Sequence, residues 1–325
     1  MRRYTFIWLL PAVFFLSWSV FESPAVTAYL EGVKEKDRKV MAREDLLTHI
    51  KEEAKRRYEP PIDARVDRVW KAIPGYNGKA VDIEATYQAA KKRGANKRIP
   101  WIYKEVPAKV SLGDLGPHPI YRGNEKKPMA GLMINVAWGT EHIPEMLRIL
   151  KQENVTATFF LDGSWVEKNP EMARRLLQSG HEIGNHAYSH PQMSRLSRAQ
   201  IREEITKTEA AIQKLAPVRS RFFAPPSGDF NQAVVEEADR LGMKTVLWTA
   251  DTVDWKESMM PTDMIARIQP ELSNGTLILM HPTDRTVKAL PEIIRLIKKK
   301  GLKAGKVSEV LSSKRVESVE PGSPF

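Results

Sequence analysis

No cysteine occurs in the 325 residues. Disulfides, thiolate nucleophiles and cysteine-held metals are therefore excluded, and any metal must be bound by His, Asp or Glu. Histidine occurs in 7 copies, so a pair at ligand spacing is by itself only moderately specific, with chance surface placement as the alternative. Low-complexity tracts and internal repeats are missing too, and with 42% hydrophobic and 28% charged residues the composition is that of a globular chain rather than a disordered one. Acidic residues are the minority charge: 51 Lys and Arg against 40 Asp and Glu give a formal net charge of +11. That balance favours an anionic neighbour. The cations, however, are spread over helical faces (Lys34 to Lys39, Lys55 to Arg57, Lys298 to Lys300) with no aromatic residues interleaved, so a solvated basic surface is expected and a nucleic-acid partner is not.

The chain is long enough for one large α/β domain and a smaller one. Residues 1–28 differ in kind from the rest: Arg2 and Arg3 precede an uncharged run from Tyr4 to Phe21, followed by the small residues of Ala25-Val-Thr-Ala28. This is the layout of a signal peptide or a membrane anchor, with Pro11 interrupting the run, and it predicts an extracytoplasmic protein, membrane-anchored or secreted. Residues 29–127 read as a small α/β module. A helix is expected over Arg43 to Tyr58, a second around Val66, Val69 and Trp70, and short extended pieces near Ile102, Val106 and Val110. Gly123 to Pro128 has the composition of a linker, and residues 313–325 that of a flexible tail.

From residue 128 to 312 the pattern becomes regular. Apolar runs at Gly131 to Val136, Thr156 to Phe160, Glu182 to Gly184, Arg221 to Ala224, Lys244 to Trp248 and Thr276 to Met280, with a further short one near Leu302, alternate with amphipathic segments such as Ile143 to Gln152 and Val287 to Lys299. Strands alternating with helices predict parallel pairing in a barrel or an open doubly wound sheet. In a barrel, functional side chains sit just beyond the strands' C-terminal ends.

Several chemistry-bearing residues fall at those places. His186 and His190 follow the strand-like Glu182 to Gly184, and a four-residue spacing on a helical turn directs two imidazoles at one point. Asp251 and Asp254 follow Val246-Leu-Trp248, and His281 follows Leu277-Ile-Leu-Met280; a histidine there can act as a general acid if either aspartate supports its protonated form. Helix capping by the aspartates and a turn position for His281 remain the alternative. Phe223-Ala-Pro-Pro-Ser-Gly-Asp229 reads by itself as a rigid loop.

Taken in order, these segments resemble the NodB-homology polysaccharide deacetylases, carbohydrate esterase family four, in its sporulation-associated branch. Ile149-Leu-Lys-Gln-Glu-Asn-Val-Thr-Ala-Thr-Phe-Phe-Leu161 is similar to the family's second-strand region, and Gly180-His-Glu-Ile-Gly-Asn-His-Ala-Tyr-Ser-His190 to its His-x-x-x-His motif. Phe223-Ala-Pro-Pro-Ser-Gly228 is similar to its Arg-Pro-Pro-Tyr-Gly loop, Asp251-Thr-Val-Asp-Trp255 to its Asp-x-x-Asp-Trp motif, and Leu279-Met-His281 to its Leu-x-His. The resemblance implies an α/β fold, a distorted (β/α)7-8 barrel, and hydrolysis of the carbon–nitrogen bond of N-acetyl groups on a peptidoglycan-type amino-sugar polymer. It further implies that His186 and His190 hold a divalent metal, zinc by family habit. His281 would protonate the leaving amine, Asp251 would tune that histidine, and Trp255, Leu279, Pro225 and Pro226 would contact substrate.

The family's first motif, Thr-Phe-Asp-Asp-Gly, is missing. It supplies the base and a metal ligand, and here the segment reads Met133-Ile-Asn-Val-Ala-Trp-Gly139. Aligned from the strand, Asn135 stands for the base and Val136 for the ligand; aligned from the glycine, Ala137 and Trp138 take those places. An amide cannot accept a proton at neutral pH, and valine cannot ligate a metal. The arginine that positions the base is replaced by Ala224, while Glu141 and His142 lie close enough in sequence to be considered as substitutes. The expectation is a metal-dependent deacetylase impaired by loss of the catalytic aspartate, and the alternative is a catalytically silent glycan-binding or scaffolding protein of the envelope.

Overall fold

The computed structural model describes residues 23–93 and 98–316, with side chains described for all of these but 37–42. The targeting run Arg2 to Phe21 and the end of the expected tail, 317–325, lie outside the described residues. Contacts divide the described chain into two units: one runs up to Tyr58 and adds Ala80–Lys104, and the other joins Glu59–Lys79 to everything from Glu105 onward.

The first unit is built on α1 (Pro24–Arg56) and α2 (Ile83–Arg93). Ser23 caps α1, its hydroxyl accepting from the Val26 N–H, and Pro24 opens the helix where a missing N–H costs nothing. Cations lie over rings in this unit, Arg43 above Tyr87 at 5.8 Å and Arg57 above Trp101 at 4.3 Å. Among the described residues no helix is long and apolar enough to cross a membrane.

The second unit is an α/β half-barrel. After the short strands β1 (Arg65–Asp67), β2 (Lys71–Ile73), β3 (Gly78–Val81) and β4 (Tyr103–Val106), the barrel strands are β5 (Met129–Val136), β6 (Thr158–Leu161), β7 (Glu182–Asn185), β8 (Phe222–Phe223), β9 (Lys244–Thr245), β10 (Ala250–Asp251), β11 (Thr276–Met280) and β12 (Lys303–Gly305). The barrel strands all pair in parallel in the order β10-β11-β5-β6-β7-β8-β9, and β12 joins β5. This is the distorted barrel that the motifs imply. Every residue of β5 is buried, the pattern of a central parallel strand covered on both faces. Its even-numbered residues Ala130, Leu132, Ile134 and Val136 join the outer core, where they meet α3 (Ile143–Gln152) and α9 (Asp284–Lys299). Met129 and Met133 turn instead into the barrel with Phe160, Leu277 and Ile120. Fully buried side chains such as Phe159, Phe160 and Phe223 each contribute about 2–3 kcal/mol of transfer free energy.

The sheet does not close by a ladder between β9 and β10. Residues just before β5 fill that side: Ile120, fully buried, donates its N–H to Thr245 and bridges Val246 in parallel, and Thr249 Oγ1 donates to the Tyr121 carbonyl. Residues 105–127 therefore pack with the barrel. The expected linker Gly123–Pro128 is likewise pinned, the Gly123 N–H donating to Gly275 at 2.7 Å. At the other end of the domain, Arg315 bonds Glu59 and the Asn77 carbonyl, and Val316 is buried, so the first residues of the expected tail are held in place. The helix expected around Val66 to Trp70 is a correction: β1 (Arg65–Asp67) and β2 (Lys71–Ile73) form an antiparallel hairpin there. Asp67 decides it, because its Oδ1 accepts from both the Val69 and Trp70 N–H groups and turns the chain before a helix can start.

Candidate active site

At the C-terminal ends of β5, β7, β10 and β11 lies a cavity of about 400 Å³. It is lined by Asn135, Ala137, Trp138, His186, His190, Ser227, Trp248, Asp251, Trp255, Leu279 and His281. The volume suits a single sugar ring with its substituents.

His186 leaves β7 directly, and its Nδ1 donates to the Ala224 carbonyl at 2.7 Å. Burial, aided by the neighbouring His190, pushes its imidazole down to about 3, so it is neutral with Nε2 free. His190 reaches the same spot from a residue with φ of 55°, its ring 5.2 Å from that of His186. Glu204 holds the intervening loop by accepting from the Tyr188 and Ser189 N–H groups. Left-handed backbone at Ala187, His190, Ser227 and Val253 puts four of the six positive-φ non-glycine residues described in the site's loops, where such strain is kept by surrounding structure.

On the opposite wall stands His281. Asp254, fully buried, accepts from its backbone N–H at 2.6 Å and from its Nδ1 at 2.8 Å, and also takes the Thr286 hydroxyl. That leaves Nε2 of His281 to face a ligand. The hydrogen-bond partner of this histidine is thus Asp254, while Asp251, the residue expected to tune it, lies near enough to feel the His281 charge. Asp251 also lines the cavity, but its Oδ1 accepts from the Val253 N–H, and burial raises its pKa. The indole of Trp138 stacks on the His281 ring at 5.9 Å and 7°.

The residues expected to touch substrate divide. Trp255, 52% exposed, and Leu279 line the cavity, whereas Pro225 and Pro226 are buried beneath it. Their loop contributes through Ser227 and through the Ala224 carbonyl. Trp138, Trp248 and Ser227 were not among the expected contacts; a large aromatic at the end of one strand-like run and two residues beyond another was the signal available.

β5 and the residues after it turn the candidate positions of the degenerate segment in different directions. Asn135, Ala137 and Trp138 line the cavity, while Val136 is turned into the outer apolar core. Asn135 is 3% exposed, and its Oδ1 is buried with no hydrogen-bond partner. Glu141 and His142 pair with one another at 3.5 Å and are not part of the cavity lining, so neither replaces the missing carboxylate. Asp162 lies near enough to His190 to feel its charge, but its Oδ1 is engaged by Ser164 and by the Trp165 N–H as the cap of α4 (Gly163–Lys168). No group of three or more His, Asp or Glu side chains able to hold a metal ion occurs among the described residues. Two imidazoles and an amide oxygen do not make a resident zinc site.

Residues 122–246 match the family model described as polysaccharide deacetylase. A peptidoglycan-N-acetylglucosamine deacetylase of Bacillus cereus is 35% identical over 65% of this chain and 74% of its own length. The chain belongs to the polysaccharide deacetylase family, carbohydrate esterase family four. It is also similar to YlxY of Bacillus subtilis, 42% identical over 94% of this chain and 95% of that protein. A crystal structure described as a family-four pseudoenzyme from Bacillus anthracis superposes with a TM-score of 0.78 and 44% identity, covering 83% of this chain and 96% of its own. A mutant of that pseudoenzyme, described as having restored enzymatic activity, gives 0.77 and 42% over 83% of this chain and 99% of its own. Deacetylases of the family are in general metal-dependent, and in this member the third donor is what the site lacks.

Proposed function

We propose that this chain recognises an N-acetylated amino-sugar unit of a peptidoglycan-type polymer in its 400 Å³ cavity without hydrolysing it. The unpartnered Oδ1 of Asn135 carries the reading. A buried acceptor without a donor is costly, and an acetamide N–H or a sugar hydroxyl entering the cavity would satisfy it. The same amide cannot take a proton from water, so the group that makes a nucleophile in a deacetylase is gone while the groups that shape a sugar pocket stay. Trp255 and Trp138 offer apolar ring faces, and Leu279 offers a methyl-sized apolar wall. The similarity to a protein described as a pseudoenzyme supports this reading.

A second reading, metal-dependent release of acetate, draws on one observation: the pair His281–Asp254 that would protonate a leaving amine is intact. Calorimetric titration with N-acetylglucosamine oligomers, run beside an acetate-release assay containing zinc or cobalt, separates the two. Binding without acetate, weakened about tenfold by Trp255→Ala, is the expected result. Turnover that depends on added metal would replace the first reading with the second.

Arg2, Arg3 and the uncharged run to Phe21 support placing the protein outside the cytoplasmic membrane, anchored or secreted, where such a polymer is found.

A further inference from the structure

A second and larger cavity, about 1020 Å³, opens at the other end of the barrel, among the N-terminal ends of β5, β8, β9 and β12. Its lining carries six cations, Lys127, Arg221, Lys244, Lys303, Lys314 and Arg315, against a single carboxylate, Glu309. Two of the six are neutralised locally, Lys244 by Asp239 and Arg315 by Glu59, each at 2.7 Å. Arg221, Lys303 and Lys314 are exposed and make no ion pair among the described residues. Like charges gathered around one concavity repel, and water screens them less in a recess than on an open face.

Lys127 is the unusual member. It is 2% exposed, and its Nζ donates to the Ser312 carbonyl at 2.8 Å and the Lys314 carbonyl at 2.7 Å. An ammonium has three N–H donors, so one remains for a ligand. Burial pushes its pKa down to about 8 against the pull of Glu105 and Glu309, with Lys303 pushing the same way as burial. A buried ammonium hydrogen-bonded to two carbonyls, with Glu105 and Glu309 offsetting only part of its burial, is an expensive feature that an anion in the cavity would relieve.

We propose that this basal cavity binds a soluble ligand carrying two or more phosphate groups, with Arg221, Lys303 and Lys314 at the mouth and Lys127 at the floor. Three unpaired cations and a fourth with a spare donor exceed what one monovalent carboxylate can neutralise. The planar fork of Arg221 suits phosphate oxygens bidentately, and lysines serve as point charges for them. A bilayer surface could reach the exposed rim but not the buried Lys127, which favours a ligand small enough to enter. The site stands apart from the sugar cavity at the opposite end of the strands.

Titration of the full-length protein with sodium pyrophosphate, at fixed ionic strength and pH 8, tests it. Saturable binding is expected, together with proton uptake, seen as a binding enthalpy that changes between buffers of different ionisation heat, because a bound anion raises the Lys127 pKa. The exposed double variant Lys303→Gln/Lys314→Gln should weaken binding at least tenfold with an unchanged urea midpoint and unchanged N-acetylglucosamine-oligomer binding. Arg221→Gln supplies an independent second variant with the same expected direction. No binding, equal affinity in all variants, or binding to phosphatidylglycerol vesicles without binding to pyrophosphate would each overturn the proposal.

Discussion

Asn135 and an aspartate at the same place have nearly the same size and shape but differ in chemistry, since an amide is neither a usable base nor an anionic ligand. The amide side chain lines the cavity with His186 and His190, and its Oδ1 is buried without a partner. A carboxylate there would add the anionic donor that two imidazoles lack. Asn135→Asp is therefore expected to raise zinc affinity at pH 7 by at least about tenfold, measured by competition with a chelating dye, while Val136→Asp is not. The second part follows from direction: Val136 faces the outer apolar core, where an ionised group would be stranded and the fold would suffer. Equal zinc affinity for wild type and Asn135→Asp would show that the three groups do not converge. At this scale the sequence was informative about residue type and poor about pairing. Both aspartates of Asp251-Thr-Val-Asp254 were candidates for supporting His281, and spacing could not choose between them. The hydrogen bond is decided by the turn, in which Asp251 closes on the Val253 N–H and Asp254 is left to accept from the backbone N–H and Nδ1 of His281.

Elements bring those residues together through a few close backbone approaches, and Gly139 is the tightest. It has φ of 76°, and a Cβ built on it would lie 2.0 Å from the Pro282 carbonyl oxygen. The loop leaving β5 can lie against the loop between β11 and α9 only because that position is glycine. Gly139→Ala should cost about 2 kcal/mol or more in urea unfolding and should slide Trp138 off His281, weakening binding of N-acetylglucosamine oligomers. Wild-type stability and binding would mean that the loops separate without consequence. Long, strongly patterned elements were legible beforehand: Thr276–Met280 and Ile143–Gln152 appear with the bounds their apolar patterns predict. β8 and β9 fall inside the expected runs Arg221–Ala224 and Lys244–Trp248 but keep only two residues each, whereas β10, also two residues, has no run of its own and exists because its neighbour in the sheet defines it. The packing of residues 105–127 with the barrel was also illegible, since one buried Ile120 plugging the gap between β9 and β10 leaves no pattern in sequence.

For the whole molecule, buried bases make stability depend on pH. His181 accepts the Ala157 N–H on Nδ1 and packs edge-on against Phe159, and burial, then the charge of Lys306, pushes its pKa down to about 4. The unfolded value is about 6.5, so the fold prefers the neutral ring. That preference is fully present above about pH 6.5 and is lost as pH falls through 4, on the order of 3 kcal/mol. His186, pushed to about 3, extends the same limb to lower pH. Lys127 acts at the other end: with a folded value of about 8 against about 10.5 unfolded, its contribution is present only above about 10.5 and lost as pH falls through 8. At neutral pH the fold thus carries the whole cost of a buried ammonium. Urea midpoints from pH 4 to pH 10 should therefore rise in two steps, one below 6.5 and one above 8. His181→Gln keeps an acceptor for the Ala157 N–H but cannot titrate, so it should flatten the acid step to the part owed to His186. Lys127→Met should remove the alkaline step and raise the neutral-pH midpoint. An acid step unchanged by His181→Gln would show that His181 is not held neutral by the fold. A neutral-pH midpoint lowered by Lys127→Met would show that the two carbonyl bonds of the ammonium outweigh its desolvation.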